Sequence, residues 1–127
     1  MEEHPNVTAV RKWTEELEAG NWEAMTDALA DDVEWHEIGR TEPTRGKAAL
    51  AQRMQASMGE VQIEARTHDI VGNDEHVVQL VNVTARRGDE TFEYRTAEIL
   101  HVRDGKVTAR WAFSDDTARI MEFFGPG

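Results

Sequence analysis

The stretch TFEYRTAEILHVRDGKVTARWAF, residues 91–113, decides the fold class of this chain. Apolar and polar residues alternate on both sides of Asp104-Gly105, and this period of two is typical of β-strands. Asp-Gly is a strong hairpin signal, because the central residues of a tight two-residue turn have positive φ. The stretch therefore predicts two long strands, residues 91–103 and 106–113, joined by a hairpin.

The rest of the second half keeps the same period, whereas the first half is helical. Alternation at residues 61–65 and 76–86 extends the series of strands upstream. Two amphipathic helices open the chain, with Gly20 ending the first and Asn21 as the N-cap of the second. Their apolar stripes are Val7, Val10, Trp13 and Leu17 in the first helix and Trp22, Met25 and Leu29 in the second. The remaining predicted elements are a short strand at residues 33–38, a third helix at about residues 47–58 and a short tail helix within residues 115–124.

Helices followed by a run of strands predict an α+β fold. We expect three helices in the N-terminal half to wrap a long, curved antiparallel sheet that curls into a cone. With 127 residues, the chain has the length of one domain, so residues 1–127 are predicted to form a single unit.

Composition excludes several classes of function. Fourteen Lys and Arg against 25 Asp and Glu give a formal charge of −11, so we expect neither nucleic acid nor a membrane surface as a partner. The chain has no Cys and lacks the His-x-His, His-Glu-x-x-His and glycine-rich nucleotide motifs, so no metal and no cofactor are predicted. No apolar run reaches about 20 residues and no secretory signal is visible, so the predicted location is cytoplasmic.

Strand 91–103 carries the first candidate for chemistry, Glu98. It shares a face with Phe92, Tyr94, Thr96, Leu100 and Val102. Desolvation by apolar neighbours raises the pKa of a carboxyl, which suits a general base or a protonated hydrogen-bond donor. The alternative is that the opposite face, with Ala97 and Ile99, is buried and Glu98 is solvated.

Two further carboxylates follow apolar strand faces. Trp111 and Phe113 share a face that Asp115 continues, so Asp115 could meet a flat ligand at the open end of the sheet. Equally, Asp115-Asp116 could cap the tail helix. In the first strand Glu37 shares a face with Trp35, whereas His36 points to the opposite face. We expect the aromatic residues Trp35, Tyr94, Trp111 and Phe113 to surround a pocket with the three carboxylates.

The chain as a whole resembles the SnoaL-like, nuclear transport factor 2-like superfamily. The motifs that carry the resemblance are Val10-Arg11-Lys12-Trp13, Leu17-Glu18-Ala19-Gly20-Asn21-Trp22, Leu29-Ala30-Asp31-Asp32-Val33-Glu34-Trp35-His36, Gly46-Lys47, and Asp104-Gly105-Lys106-Val107 with Trp111 and Asp115. The resemblance implies a cystatin-like roll, in which three helices and a curved sheet enclose an apolar pocket, and often a dimer formed through the sheet. Enzymes and binding proteins share this fold, so the fold leaves the function open.

Residues 30–46 are similar to ketosteroid isomerase. That similarity implies Glu37 as the general base, Glu98 as the protonated donor of the oxyanion hole and Trp13 at the position of its tyrosine. Two Asp-to-Glu changes and one Tyr-to-Trp change separate this chain from that pattern. The polyketide cyclases of the superfamily use a base that matches Asp115 instead.

Together these features predict an isomerase or cyclase that moves a proton next to the carbonyl of a small apolar or aromatic compound, without a cofactor. The alternative is a non-catalytic protein that binds an apolar ligand. We also expect a homodimer, because the outer sheet face needs cover and carries Arg95, His101, Arg103 and Arg110 among small residues.

Overall fold

A computed structural model describes residues 3–57 and 61–124. The helices are α1 (Pro5–Glu18), α2 (Trp22–Asp27), α3 (Lys47–Ser57) and α4 (Thr117–Phe124). The strands are β1 (Leu29–Trp35), β2 (Thr44–Arg45), β3 (Gln62–Gly72), β4 (His76–Arg87), β5 (Glu90–Arg103) and β6 (Lys106–Ser114). The predicted α+β class is confirmed. In the part of the chain that is described, no helix is long and apolar enough to cross a membrane.

The six described strands form one open sheet in the order β2-β1-β6-β5-β4-β3. The expectation of a purely antiparallel sheet is wrong, because β1 lies parallel to β6. Hairpin signals determine the direction of neighbouring strands only. The pairing of β1 with β6 joins distant parts of the chain, and no local signal reports its direction.

The hairpin between β5 and β6 has the predicted turn. Asp104 and Gly105 both have positive φ, 52° and 77°, as a two-residue turn of this hand requires. Beyond the turn, Val102 faces Val107, but His101 faces Ala109, so β6 contains one extra residue. This β-bulge exchanges the two faces of β6 for every residue that follows it.

Helix α1 packs on one side of the sheet, which we call the inner face. The second predicted helix is shorter than its apolar stripe, because Leu29 begins β1 instead of continuing α2. Asn21 caps α2 as predicted, accepting a hydrogen bond from the backbone N–H of Ala24 at 3.3 Å. The buried core joins α1, α3 and five strands through Val7, Val10, Trp13, Leu29, Val33, Trp35, Leu50, Ile70, Val77, Leu100, Val102 and Val107.

Two predicted boundaries differ from the structure. Strand β1 covers residues 29–35 instead of 33–38, and Asp31 and Asp32 are exposed within it. Helix α3 begins at Lys47 as expected, and Met58 lies outside the described residues. The tail helix forms with Asp116 as its cap, because the Asp116 Oδ1 accepts a hydrogen bond from the backbone N–H of Arg119 at 3.1 Å.

Candidate functional site

A cavity of about 250 Å³ lies between α1 and the inner face of the sheet. Its wall is mostly apolar, with a few polar groups. The lining residues are Trp13, Thr14, Leu17 and Glu18 of α1, Trp35 of β1, Ala65 and Thr67 of β3, Gln79 and Val81 of β4, and Glu98 of β5. An apolar cavity with a few converging polar groups is the usual form of a small-molecule site.

Glu98 points into this cavity, so the predicted phase of β5 is confirmed. Its Oε1 accepts hydrogen bonds from Nε and Nη2 of Arg110 at 3.1 and 2.9 Å. Its Oε2 accepts a bond from the hydroxyl of Thr96 at 3.2 Å. The side chains of Glu98 and Arg110 are only 19% and 13% exposed, so this is a largely buried ion pair.

The contacts of Glu98 differ from those expected of a donor to a ligand. Both of its carboxyl oxygens accept hydrogen bonds from the protein, and the protonated form inferred from the sequence stays a prediction. The guanidinium of Arg110 also donates to the carbonyl oxygen of His36 at 3.0 Å and lies 4.5 Å from the ring centroid of Trp35. The cation is thus held from three sides.

Arg110 is the functional residue that sequence reasoning misplaced. Strict alternation from Val107 assigns it to the outer face, with the residues expected to cover a dimer interface. The bulge in β6 turns it inward, opposite Leu100 and beside Glu98. The sequence offered one indication of the inward position of Arg110: the neighbouring strand β5 carries an inward glutamate with which an arginine of β6 could pair.

Gln79 is a second residue that sequence reasoning passed over. It is the direct cross-strand partner of Glu98 and is only 5% exposed. Its amide nitrogen donates to the hydroxyls of Thr14 at 2.9 Å and Thr67 at 2.8 Å. Gln79 interrupts an otherwise apolar strand face formed by Val77, Val81 and Val83. This position could have identified it from the sequence, because a buried polar group needs hydrogen-bond partners.

Tyr94 lies on the inner phase of β5, as predicted, but is not among the residues that line the cavity. Burial raises the pKa of its phenol to about 12, and the negative charge of Glu98 adds to this effect, while the charge of Arg110 opposes it. Its ring stacks on Phe92 with the ring centroids 5.1 Å apart. Tyr94 therefore lies outside the cavity, stacked on Phe92.

Two tryptophans form the aromatic part of the cavity wall. Trp13 and Trp35 pack edge to face with their ring centroids 6.3 Å apart, and both line the cavity as expected. The indole N–H of Trp13 is buried and has no hydrogen-bond partner within the described residues. The nitrogen is closed off from the cavity in this structure, so a hydrogen bond to a ligand would require the ring to turn.

Glu37 does not line the cavity. Its carboxylate forms a two-pronged hydrogen-bonded ion pair with Arg53 of α3, in which Nη2 of Arg53 donates to Oε2 at 3.1 Å. Nε of Arg40 lies 3.6 Å from the same carboxylate. The residue expected to be the general base is instead one member of a charged cluster between β1 and α3.

Asp115, Trp111 and Phe113 were expected to point inward, and this expectation is wrong. Because of the bulge in β6, Trp111 stacks on His36 of the outer face at 4.9 Å between ring centroids, and Phe113 is 56% exposed. Asp115 accepts a hydrogen bond from the backbone N–H of Arg95 at 3.1 Å, and its side chain is 52% exposed. These three residues lie outside the cavity.

No group of three His, Cys, Asp or Glu side chains within residues 3–57 and 61–124 is arranged to hold a metal ion.

Comparison with known proteins places this architecture in a family. A model of the SnoaL-like domain matches residues 10–110. A search of curated proteins gives no significant match.

Solved structures share the fold at low sequence identity. An LEH-like epoxide hydrolase from M. tuberculosis is 21% identical with a TM-score of 0.75, covering 87% of this chain and 82% of its own. IdmH from Streptomyces antibioticus, described as a candidate polyketide cyclase, is 19% identical with a TM-score of 0.75, covering 94% of this chain and 99% of its own. An NTF2-like protein of unknown function from Burkholderia pseudomallei is 15% identical with a TM-score of 0.82, covering 94% and 96%. At these identities the similarity extends to the fold alone.

Proposed function

The chain belongs to the SnoaL-like domain family, and from that premise we propose that it is a small-molecule enzyme that transfers a proton next to the carbonyl of an apolar or aromatic compound. The observation that carries the proposal is the position of Glu98, a carboxylate on the wall of an apolar cavity. The reaction requires no cofactor. Return of the proton to a different carbon would make the enzyme an isomerase, and ring closure through the carbanion would make it a cyclase.

In this proposal Glu98 is the general base. One of its oxygens takes the proton from the carbon beside the carbonyl. The electron pair of that C–H bond forms a carbon–carbon double bond with the carbonyl carbon, and the π pair of the carbonyl moves onto its oxygen. A positioned base of this kind contributes about 10²–10⁴ in rate. The ion pair with Arg110 keeps Glu98 as a carboxylate inside an apolar wall, where an unpaired charge would be costly.

Trp13 is the proposed donor to the oxygen that becomes negative. Its indole N–H lacks a partner within the described residues, and its ring lines the same cavity as Glu98. A donor aimed at the developing charge stabilises the transition state more than the ground state. Glu37 and Asp115, the bases expected from the sequence, take no part, because neither lines the cavity.

A non-catalytic binding protein is the second candidate. Arg110 and Thr96 together occupy both oxygens of Glu98. A carboxylate engaged in this way is a weaker base, and the cavity would then bind its ligand without turnover.

Exchange of ligand protons with heavy water separates the two candidates. We expect the wild-type protein to catalyse deuterium incorporation beside the carbonyl of flat apolar ketones such as 1-tetralone, followed by NMR. Glu98→Gln should lower the exchange rate at least a hundredfold and keep ketone binding. Asp115→Asn is the matched control, because it removes a carboxylate outside the cavity, and its rate should equal that of the wild type. Binding without exchange by the wild type would identify a binding protein.

We also propose that a second copy of the chain covers the outer sheet face. Val71, Leu80 and Phe113 are exposed on that face at 55%, 38% and 56%. Exposed apolar patches of this kind are typical of association surfaces, and a two-fold dimer places the same patch on both partners. The predicted absence of nucleic acid and membrane partners and the predicted cytoplasmic location stay predictions.

A further inference from the structure

The cavity contains a polar group that the proposed proton transfer does not use. Gln79 lies within the apolar phase of β4, between Val77 and Val81, and is 5% exposed. Burial of an amide in such surroundings is unfavourable unless its polar atoms have partners. Among residues 3–57 and 61–124, partners exist for one end of the amide only.

That end is held by two hydroxyls from different elements. Nε2 of Gln79 donates to Thr14 of α1 at 2.9 Å and to Thr67 of β3 at 2.8 Å. The hydroxyls come from the helix above the sheet and from the neighbouring strand, so the amide has a defined position. We call these three residues the amide subsite.

The other end of the Gln79 amide accepts no hydrogen bond from any described residue, and Gln79 lines the cavity. A ligand is therefore the partner available to its oxygen. A hydroxyl both donates and accepts, so it pairs with whichever atom of the amide faces the cavity. An apolar ligand without a hydroxyl would leave the oxygen of this amide without a partner, which weakens the binding of that ligand.

The position of the amide subsite relative to Glu98 determines which part of a ligand carries the hydroxyl. Gln79 and Glu98 are direct partners across β4 and β5. The Cβ atoms of such a pair are about 4.5–5.5 Å apart on one face of the sheet. Gln79 and Glu98 can therefore contact the same ligand, Glu98 at the carbon beside the carbonyl and Gln79 at a hydroxyl elsewhere on the ring system.

We propose that the amide subsite selects hydroxylated ring ketones, with the hydroxyl bound by Gln79 and the carbon beside the carbonyl placed at Glu98. The inference rests on the proposed function for the choice of a ketone. The hydroxyl preference itself is a property of binding and is measured without turnover.

The test compares 1-tetralone with 6-hydroxy-1-tetralone by isothermal titration calorimetry. We expect the hydroxylated ketone to bind wild-type protein about tenfold more tightly, which is about 1.4 kcal/mol of binding free energy and lies within the contribution of one hydrogen bond. Gln79→Met keeps the length of the side chain and removes the amide, so it should abolish the preference, and 1-tetralone should bind the variant at least as tightly as the wild type because no amide is left without a partner. Thr67→Val, which releases one side of the amide, should reduce the preference in part.

Glu98→Gln separates this proposal from the proposed function. The variant should keep the tenfold preference while it loses deuterium exchange. Equal affinity of the wild type for the two ketones would overturn the subsite even if exchange is fast. A hydroxyl preference in wild-type protein that catalyses no exchange would support the subsite and refute the proton transfer. If Gln79→Met does not fold, retention of the full preference by Thr67→Val overturns the assignment, and failure of both ketones to bind does so as well.

Discussion

Removal of the negative charge of Glu98 should lower the pKa of Tyr94. Burial is the main reason that the phenol of Tyr94 has a pKa of about 12, and repulsion by Glu98 is the second. The shift from 10 to about 12 corresponds to roughly 2.7 kcal/mol against the tyrosinate form, at 1.36 kcal/mol for each pKa unit. Glu98→Gln leaves burial in place and leaves the charge of Arg110, which favours tyrosinate. We therefore expect a pKa between 10 and 12 in the variant.

The assay is a spectrophotometric titration of tyrosinate in the near ultraviolet. Tyr94 is the only tyrosine of the chain, so the signal has one source. Circular dichroism of the same samples shows whether the fold persists at each pH. Asp115→Asn is the control and should titrate like the wild type. A wild-type pKa near 10 in folded protein, or no change in Glu98→Gln, would refute the reasoning.

The same shift determines how stability depends on alkaline pH. The unfolded chain loses the phenol proton near pH 10, whereas the folded chain keeps it to about pH 12. The unfolded state therefore binds fewer protons in this window, and the free energy of unfolding falls as pH rises through it. The contribution is fully present below pH 10. Chemical denaturation at a series of pH values should show a decline of up to about 1.4 kcal/mol per pH unit.

Three more substitutions test the fold and the assembly. Arg110→Met should lower the free energy of unfolding by roughly 3 kcal/mol in urea denaturation, because it leaves the buried carboxylate of Glu98 unpaired, and adding Glu98→Gln should restore most of the loss. Gly72→Ala should cost about 1–3 kcal/mol in the same assay, because the added methyl meets three atoms at 2.9 to 3.0 Å, and a neutral result would contradict this packing. Light scattering should show a wild-type dimer at micromolar concentration that Phe113→Lys converts to a monomer, whereas a monomeric wild type would disprove the proposed interface.

Local patterns were sufficient for most of the fold. The Asp104-Gly105 turn, the strands around it and the caps at Asn21 and Asp116 depend on interactions between residues close in sequence. Local structure of this kind produces a recognisable spacing of apolar residues and turn residues in the sequence. The α+β class and the inward direction of Glu98 could therefore be predicted. The parallel pairing of β1 with β6 left no such trace.

The candidate site depended on a β-bulge and on contacts between strands, which the alternation of apolar and polar residues does not predict. One additional residue in β6 moved Trp111 and Phe113 to the outer face and brought Arg110 to Glu98. Whether a carboxylate on an apolar strand face has a charged partner depends on which side chain of a neighbouring strand lies beside it. The sequence by itself determined that a carboxylate enters an apolar pocket. The tertiary structure alone decided that this carboxylate pairs with Arg110 and lies directly across from Gln79, because a β-bulge and long-range strand register set both positions.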